Sequence, residues 1–227
     1  DASLRNFTVR RCWGVRVERG FLRVRYASRS GLIEDCAAHG QANEGGPIPA
    51  GCALDDRAAN IVYRRCVMEG FQQWHVGAYW NGDGFSDESD NRNIRYESCE
   101  ARGSTDAGFD CKSPGVVLDN CIAEDNKRNF RLWGQGATLT GCTSRSPHYR
   151  GGALLHDSPA HIWIGEDRTH VRAERLTIED SDGASIVEFD GDGALEVRGL
   201  TLHSPRENWG DGVQTRRNGD VIVAEPA

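Results

Sequence analysis

The chain has 227 residues and a net charge of −7, with 27 Lys and Arg against 34 Asp and Glu. This acidic balance, without a base-reading motif, argues against nucleic-acid binding, and the sequence has no apolar run of about 18 residues that could span a bilayer. The 27 glycines, the single Met and the short alternating apolar runs favour many short strands joined by turns over long helices.

Six strand-like segments in the first two thirds of the chain end in a cysteine, and these cysteines recur every 21 to 33 residues: Cys12, Cys36, Cys66, Cys99, Cys121 and Cys142. A small apolar side chain that returns once per unit is typical of a solenoid, because each unit buries its inner face against its neighbours. We therefore predict that these residues form one interior column, in which most thiols are free and pack as small hydrophobic groups.

A second recurring signal lies 13 to 16 residues before each cysteine from Cys36 onwards, where a Gly or Asn opens a short apolar strand. These strands open at Gly20, Gly51, Gly84, Gly108 and Asn129, and the same pattern predicts a further strand at Gly152 (GALLH). The spacing predicts a repeat of two strands with a short turn between them and a variable loop outside. Beyond Cys142, leucine takes the cysteine position at Leu176 and Leu200.

These repeats predict an all-β fold. Parallel strands cannot be joined by hairpins, so strands at this spacing wind as a coil. We predict a right-handed parallel β-helix of about seven to eight rungs. It forms one domain over residues 1–227, with a partial rung or cap at 203–227. The chain starts inside a strand-like segment without Met or a signal sequence, so we expect further rungs before it.

Strand alternation predicts a charged outer surface in the middle of the coil. In the segment GFDCK, Phe109 and Cys111 point inward, which leaves Asp110 and Lys112 outside, roughly 7 Å apart. Aligning the neighbouring strands and the turns before them adds Ser86, Glu88, Arg131, Trp133 and His156, and then Asp83, Asp106, Lys127 and Arg128. Carboxylates at rung spacing repel each other unless cations neutralise them. The surface is therefore either a Ca²⁺ site or a set of ion pairs that join Asp110 to Arg131 and Glu88 to Lys112.

The segment from Asn81 to Gly134 resembles the central rungs of right-handed β-helix polysaccharide lyases, most closely pectate lyase family 9. The matching motifs are NGDGF, which contains Asp83, TDAGFD, which contains Asp106 and Asp110, and the segments CEA and CIAEDN that follow. The resemblance covers two rungs, about a quarter of the chain. The chain departs from the family at Ala107, where the family has a second acid.

This resemblance implies Ca²⁺-assisted β-elimination on an acidic polysaccharide that contains uronic acids, in a secreted, periplasmic or cell-surface protein. The metal polarises the substrate carboxylate and a basic side chain removes the adjacent proton. The implied calcium ligands are Asp83, Asp106 and Asp110. The base candidates are Lys127, Lys112 and Arg131, and the candidates for substrate binding are Arg128, Trp133, His156 and Trp80.

Three other functions remain open from the sequence. A uronate C5-epimerase shares the proton-abstraction chemistry of a lyase. A non-catalytic binding or structural β-helix is favoured by Ala107 and by the lack of a clearly aligned lysine. A polygalacturonase-like hydrolase is disfavoured because the chain lacks GHG and RIK motifs. Residues 1–30 hold eight arginines against Asp1 and Glu18, a surface to which polyanions could dock. No feature of the sequence predicts the oligomeric state.

Overall fold

A computed structural model of the chain describes residues 2–152 and 159–227. These residues form strands and turns without a helix. Consequently the described part of the chain contains no helix of the length and hydrophobicity needed to cross a membrane.

The strands form three faces around a common core. The first face consists of Arg5–Arg10, Arg29–Glu34, Ala59–Arg64, Arg92–Glu97, Val116–Asp119 and Ala137–Thr140, followed by the first halves of His170–Glu179 and Ala194–His203. The second face consists of Trp13–Val17, Ala37–Gly40, Val67–Glu69, Glu100–Arg102, Ile122–Glu124 and Thr143–Arg145, followed by the second halves of the same two long strands. The third face consists of Gly20–Val24, Ala50–Leu54, Asp83–Asp87, Ala107–Cys111, Arg128–Leu132, Ala160–Gly165 and Ser185–Asp190.

Each strand of a face pairs in parallel with the equivalent strand of the next rung. Within residues 2–152 and 159–227, the third face has seven strands and each of the other faces has eight. The predicted parallel β-helix of seven to eight rungs is therefore confirmed.

The repeat differs from the prediction in two respects. Each full rung has three strands instead of two, because a short strand of the second face follows the cysteine position, as in Val67–Glu69. Ala160–Gly165 is the strand that pairs with Arg128–Leu132 on the rung for which the sequence predicts a strand at Gly152, and residues 153–156 of that predicted strand lie outside the described residues. The insertion before Ala160 shifted the expected glycine spacing.

The turn between the first and second faces explains the cysteine column. The residue before each column position has a left-handed backbone, with φ between 51° and 70° at Arg11, Asp35, Arg65, Ser98, Asn120, Gly141, Arg175 and Gly199. One such residue turns the chain sharply, and the following side chain then points into the core. Cys36, Cys66, Cys99, Cys121 and Cys142 are buried and free, as predicted, whereas Cys12 on the first rung is free but exposed, which corrects its predicted interior position.

Aromatic rings fill the centre of the core. Phe85, Phe109 and Phe130 stack along the axis, with ring centroids 4.9 and 5.5 Å apart. Tyr63 and Tyr96 stack beside them at 5.4 Å. Each such pair contributes about 0.5 to 1.5 kcal/mol beyond the area that it buries. These stacks hold the middle rungs in register and thereby fix the side chains on the opposite side of the third face.

Two further pairs of strands lie outside the three faces. Asn43–Glu44 pairs in parallel with Gln73–Trp74 in the loops between the second and third faces. At the C-terminal end, Val213–Asn218 and Val221–Pro226 form an antiparallel hairpin, and Val221–Pro226 also pairs antiparallel with Ala194–His203. The hairpin therefore covers the edge of the last long strand.

Candidate functional site

The third face carries a cluster of charged and aromatic side chains on its outer surface. The strand register places Ser86, Asp110, Arg131 and Trp163 in one outward column over four rungs. Neighbouring rungs lie about 4.8 Å apart, so these side chains touch across the sheet. We call the following residues the third-face cluster: Asp83, Asp106, Asp110, Lys112, Arg128, Arg131, Trp133 and Trp163.

Asp106 is the buried centre of the cluster. Its side chain has no exposed surface and accepts hydrogen bonds from Arg128 Nη1 at 3.1 Å and from Arg131 Nη1 at 3.0 Å. The hydroxyl of Tyr79 also donates to Asp106 Oδ1. A buried carboxylate is stable only when charged donors compensate the loss of hydration. Asp106 thus orients both guanidinium groups toward the outer surface.

Asp110 links the buried centre to the solvent. Trp133 Nε1 donates to its Oδ1 at 2.7 Å, and Lys112 Nζ lies 3.3 Å from its Oδ2. Arg131 Nη1 lies 3.8 Å from the same oxygen, and Lys112 also pairs with Glu88 at 3.1 Å. Both ion pairs considered from the sequence, Asp110 with Arg131 and Glu88 with Lys112, are therefore present.

Asp83 lies beside these acids on the preceding rung. It is buried, and its Oδ1 accepts a hydrogen bond from the amide of Ala107 at 3.0 Å. Burial, together with the nearby carboxylates of Asp110 and Asp106, raises the pKa of Asp83 well above its ordinary value, although Arg131 opposes this shift. The three acids predicted to act together are thus brought into one neighbourhood.

Two tryptophans form the wall of the cluster around Arg131. The Arg131 guanidinium lies 4.5 Å from the Trp133 ring centroid and 4.9 Å from that of Trp163. The two rings meet edge to face, 4.6 Å apart. Within the described residues, the buried Arg131 Nε and Trp163 Nε1 atoms have no hydrogen-bond acceptor. Such unpaired donors are uncommon in protein interiors.

Of the remaining site residues proposed from the sequence, Lys127 lies against Tyr79 and Trp80 lies in the same loop as Tyr79. Lys127 is buried, with Nζ 4.2 Å from the Tyr79 ring centroid and 5.9 Å from that of Tyr149. Trp80 donates to the carbonyl of His75 at 2.7 Å, so its indole nitrogen is bound within its own loop. His156 lies outside the described residues.

Lys112 and Arg131, two of the three candidate bases, do not have the protonation behaviour that base catalysis needs at neutral pH. Burial opposes the charged form of Lys112, but Asp110 and Glu88 outweigh it and raise the pKa of Lys112 above its ordinary value. Burial likewise opposes the charge of Arg131, but Asp106 and Asp110 raise the pKa of that guanidinium. Both side chains are therefore cations, suited to binding anions and not to accepting a proton.

The donor set also bears on the calcium site that the resemblance implies. Both oxygens of Asp106 are bound by arginines, and Asp110 is bound by Trp133 and Lys112. The described residues contain no group of three or more His, Cys, Asp or Glu side chains arranged to hold a metal ion. In this arrangement cationic side chains already neutralise the acids, so these residues do not fit a dication. Calcium binding stays a prediction.

Sequence reasoning missed two members of the site. Tyr79 reaches Asp106 from a loop 27 residues earlier, and no sequence pattern indicates that contact. Trp163 lies in the strand Ala160–Gly165, directly across from Arg131, and the alignment of strands from the sequence does not include it. The apolar run AHIWIG, between Pro159 and Gly165, is the signal that would have predicted this strand.

Comparisons with known proteins support the architecture. No protein-family model matches the chain, and no curated protein does. Among solved structures, an N-terminal fragment of gene product 12 of bacteriophage Phi29 is similar, with a TM-score of 0.51 and 12% identity over 91% of this chain and 45% of that chain. PfbA, a surface adhesin of Streptococcus pneumoniae, has a TM-score of 0.38 and 8% identity over 93% of this chain and 66% of that chain.

The likeness to the phage protein concerns the fold alone, since the identity is low. The chain spans less than half of the phage chain that it matches. The β-helix part of the resemblance noted in the sequence is confirmed, whereas membership of pectate lyase family 9 is not shown by any of these comparisons.

Proposed function

We propose that this β-helix binds an acidic polysaccharide along the outer surface of its third face and does not cleave it. The observation that carries the proposal is the position of Arg131, a cation held between Trp133 and Trp163 at the surface of the sheet. Trp163 is buried, whereas the partly exposed Trp133 and Arg131 supply the two interactions that an acidic sugar needs, a flat apolar surface for the ring and a cation for its carboxylate.

Partial exposure makes these groups accessible to a polymer. The Arg131 side chain is 17% exposed and that of Lys112 is 28% exposed, while the acids that orient them are buried. A uronate carboxylate could contact both cations with little rearrangement of their side chains, because Asp106 and Asp110 already hold them in place. Binding of this kind is preorganised, which lowers its entropic cost.

The charge states of the same residues favour binding over catalysis. Because Asp110 and Glu88 raise the pKa of Lys112, this lysine stays protonated at neutral pH and cannot remove a proton from a sugar. The same argument holds for Arg131. The cations that attract a uronate are thus unsuited to start its elimination.

Titration calorimetry with oligogalacturonates and oligoalginates tests the proposal. We expect Lys112→Gln to weaken binding about tenfold, since a charge-assisted hydrogen bond contributes about 1.5 to 3 kcal/mol. Arg172→Ala, at an exposed arginine of the first face, is the matched control and should leave the affinity unchanged. We also expect the affinity to fall as salt rises. Equal affinities for all three proteins would contradict this site.

The lyase expected from the sequence is the second candidate function. The observation in its favour is the meeting of Asp83, Asp106 and Asp110 beside Lys112, which is the grouping that the resemblance implies. A lyase releases products with an unsaturated uronate that absorbs ultraviolet light, and calcium would increase the rate. A C5-epimerase would change the uronate composition without shortening the polymer. Absence of both products, together with measurable binding, supports the non-catalytic function.

A further inference from the structure

We propose that a second binding subsite for the same acidic chain lies on the first two rungs of the third face, where arginines surround a cleft. This inference rests on the proposed function and extends it, because it sets the minimum length of the ligand. The subsite, here called the arginine cleft, consists of Arg19, Arg23 and Arg25 above Gly20, Ala50 and Ala53.

The arginine cleft is a real concavity with a small-residue floor. Its volume is about 280 Å³, near the lower end of the range for ligand pockets. Gly20 and Ala50 are register partners, and so are Arg23 and Ala53. Ala50 and Ala53 end at Cβ, and Leu22 also lines the volume that the arginines enclose.

The arginines of the cleft are held in place but remain available to a ligand. Asp55 lies 3.1 Å from Arg23 Nε and 3.4 Å from Arg25 Nε, and Asp56 lies 3.2 Å from Arg25 Nε. These contacts use the Nε atoms, and among the described residues the terminal nitrogens of Arg23 and Arg25 have no hydrogen-bond partner. The planar guanidinium group of an arginine binds a carboxylate through two parallel hydrogen bonds.

The strand register aligns the cleft with the third-face cluster. Arg23, Ala53, Ser86, Asp110 and Arg131 follow one another in the same outward column. Four rung steps separate Arg23 from Arg131, which is roughly 19 Å at about 4.8 Å per step. Ala53 and Ser86, which lie between the two ends of this column, have small side chains.

Only a polymer can contact the arginine cleft and the third-face cluster at the same time. A single uronate, or a disaccharide, contacts one end of the column only, whereas a longer chain that runs parallel to the helix axis contacts both. Simultaneous contact raises the affinity because the second site binds a group that is already held nearby. The ligand class that fits is therefore an extended polyuronate longer than a disaccharide.

A length series of oligogalacturonates tests the inference by calorimetry. The variant with Arg19→Ala and Arg23→Ala should bind an octamer about tenfold more weakly than the unmodified chain does and should bind a dimer equally well. Lys112→Gln, in the third-face cluster, should weaken both ligands. Arg172→Ala again controls for the loss of positive charge alone. Melting temperatures of the variants, measured alongside, confirm that each one is folded.

Three other outcomes would contradict the arginine cleft, the simultaneous contact with both subsites, or the proposed function itself. If the double variant binds the octamer normally while Lys112→Gln weakens both ligands, the arginine cleft is no subsite and the proposed function stands. If the double substitution weakens the binding of dimer and octamer equally, the arginines act by long-range electrostatic attraction, and the proposed simultaneous contact with both subsites is wrong. If the unmodified chain binds neither ligand, the proposed function fails and the second subsite fails with it.

Discussion

Asp106 shows how one buried acid organises the site. It binds Arg128 and Arg131, which lie in one strand, and Tyr79, which lies in a distant loop, and it has no exposed surface. In the Asp106→Asn variant the side chain keeps its shape but no longer supplies a negative charge to Arg128 and Arg131. We expect a loss of about 3 to 5 kcal/mol in the free energy of unfolding, measured by urea denaturation.

An exposed ion pair provides the control for this substitution. Glu225 pairs with Arg216 at 2.6 Å on the C-terminal hairpin, where both side chains are well exposed. Glu225→Gln should cost less than about 1 kcal/mol. If Asp106→Asn costs no more than this control, Asp106 does not hold the cluster together.

His161 makes the stability of the fold depend on pH. It lies in the interior, where Ser144 Oγ is 2.8 Å from its Nδ1. Burial lowers the pKa of His161 from 6.5 to about 4, although Asp180 opposes the shift. The folded chain therefore holds the neutral ring, while the unfolded chain takes up a proton below its higher pKa. Stability falls as the pH drops from 6.5 to about 4, by about 3 kcal/mol in total.

Comparison with His161→Gln isolates this contribution. Asp83 and Asp87 are buried acids with raised pKa values, so they change stability in the opposite direction over the same pH range. The measurement is the difference in unfolding free energy between the two proteins at several pH values. Parallel curves for the chain and the variant would show that His161 keeps its ordinary pKa in the folded state.

The sequence predicts part of the site because strand alternation is a strictly local rule. It places Asp110 and Lys112 outside and Phe109 and Cys111 inside, as the structure has them. It says nothing of the loop that brings Tyr79 to Asp106, since that contact depends on how a long connection folds over the face. The protonation of the acids depends on such contacts and is equally hidden from the sequence.

At the scale of the repeat, the cysteine column is the part that the sequence predicts best. One left-handed residue before each cysteine turns the chain, and this rigid geometry recurs with small side chains that are easy to recognise. The second-face strands cannot be predicted from the sequence because they are too short to show an alternation of apolar and polar residues. Glu100–Arg102, for instance, buries only Ala101. Irregular insertions, such as the one before Ala160, change the distance between repeats, so a constant glycine spacing does not predict where the next strand begins.

The burial of this column predicts the reactivity of its thiols. Cys12 is exposed, and the seven other cysteines are free and buried. A thiol reagent such as DTNB should modify one cysteine in the native protein and eight after denaturation without a reductant. The Cys12→Ser variant should lose the native reaction entirely. Fewer than eight thiols in the denatured protein would mean that disulfides join some of the stacked cysteines.

At the scale of the whole molecule, a solenoid has no uniform stability, because each rung contacts only its neighbours. In the first strand of the second face, Trp13 and Val15 are 74% and 56% exposed. The middle rungs contact neighbours on both sides and contain the aromatic stack. At the other end, the hairpin strand Val221–Pro226 covers Ala194–His203.

Native-state hydrogen exchange should reveal this gradient. We expect the amides of Asp83–Asp87 and Ala107–Cys111 to exchange only by global unfolding, and those of Arg5–Arg10 and Trp13–Val17 by local opening that costs at least about 2 kcal/mol less. Ala194–His203 is the matched comparison, since it lies near the opposite end and is covered by the hairpin. It should exchange more slowly than the first rung because opening it also breaks the antiparallel pairing. Equal protection along the chain would show that the rungs unfold as one cooperative unit.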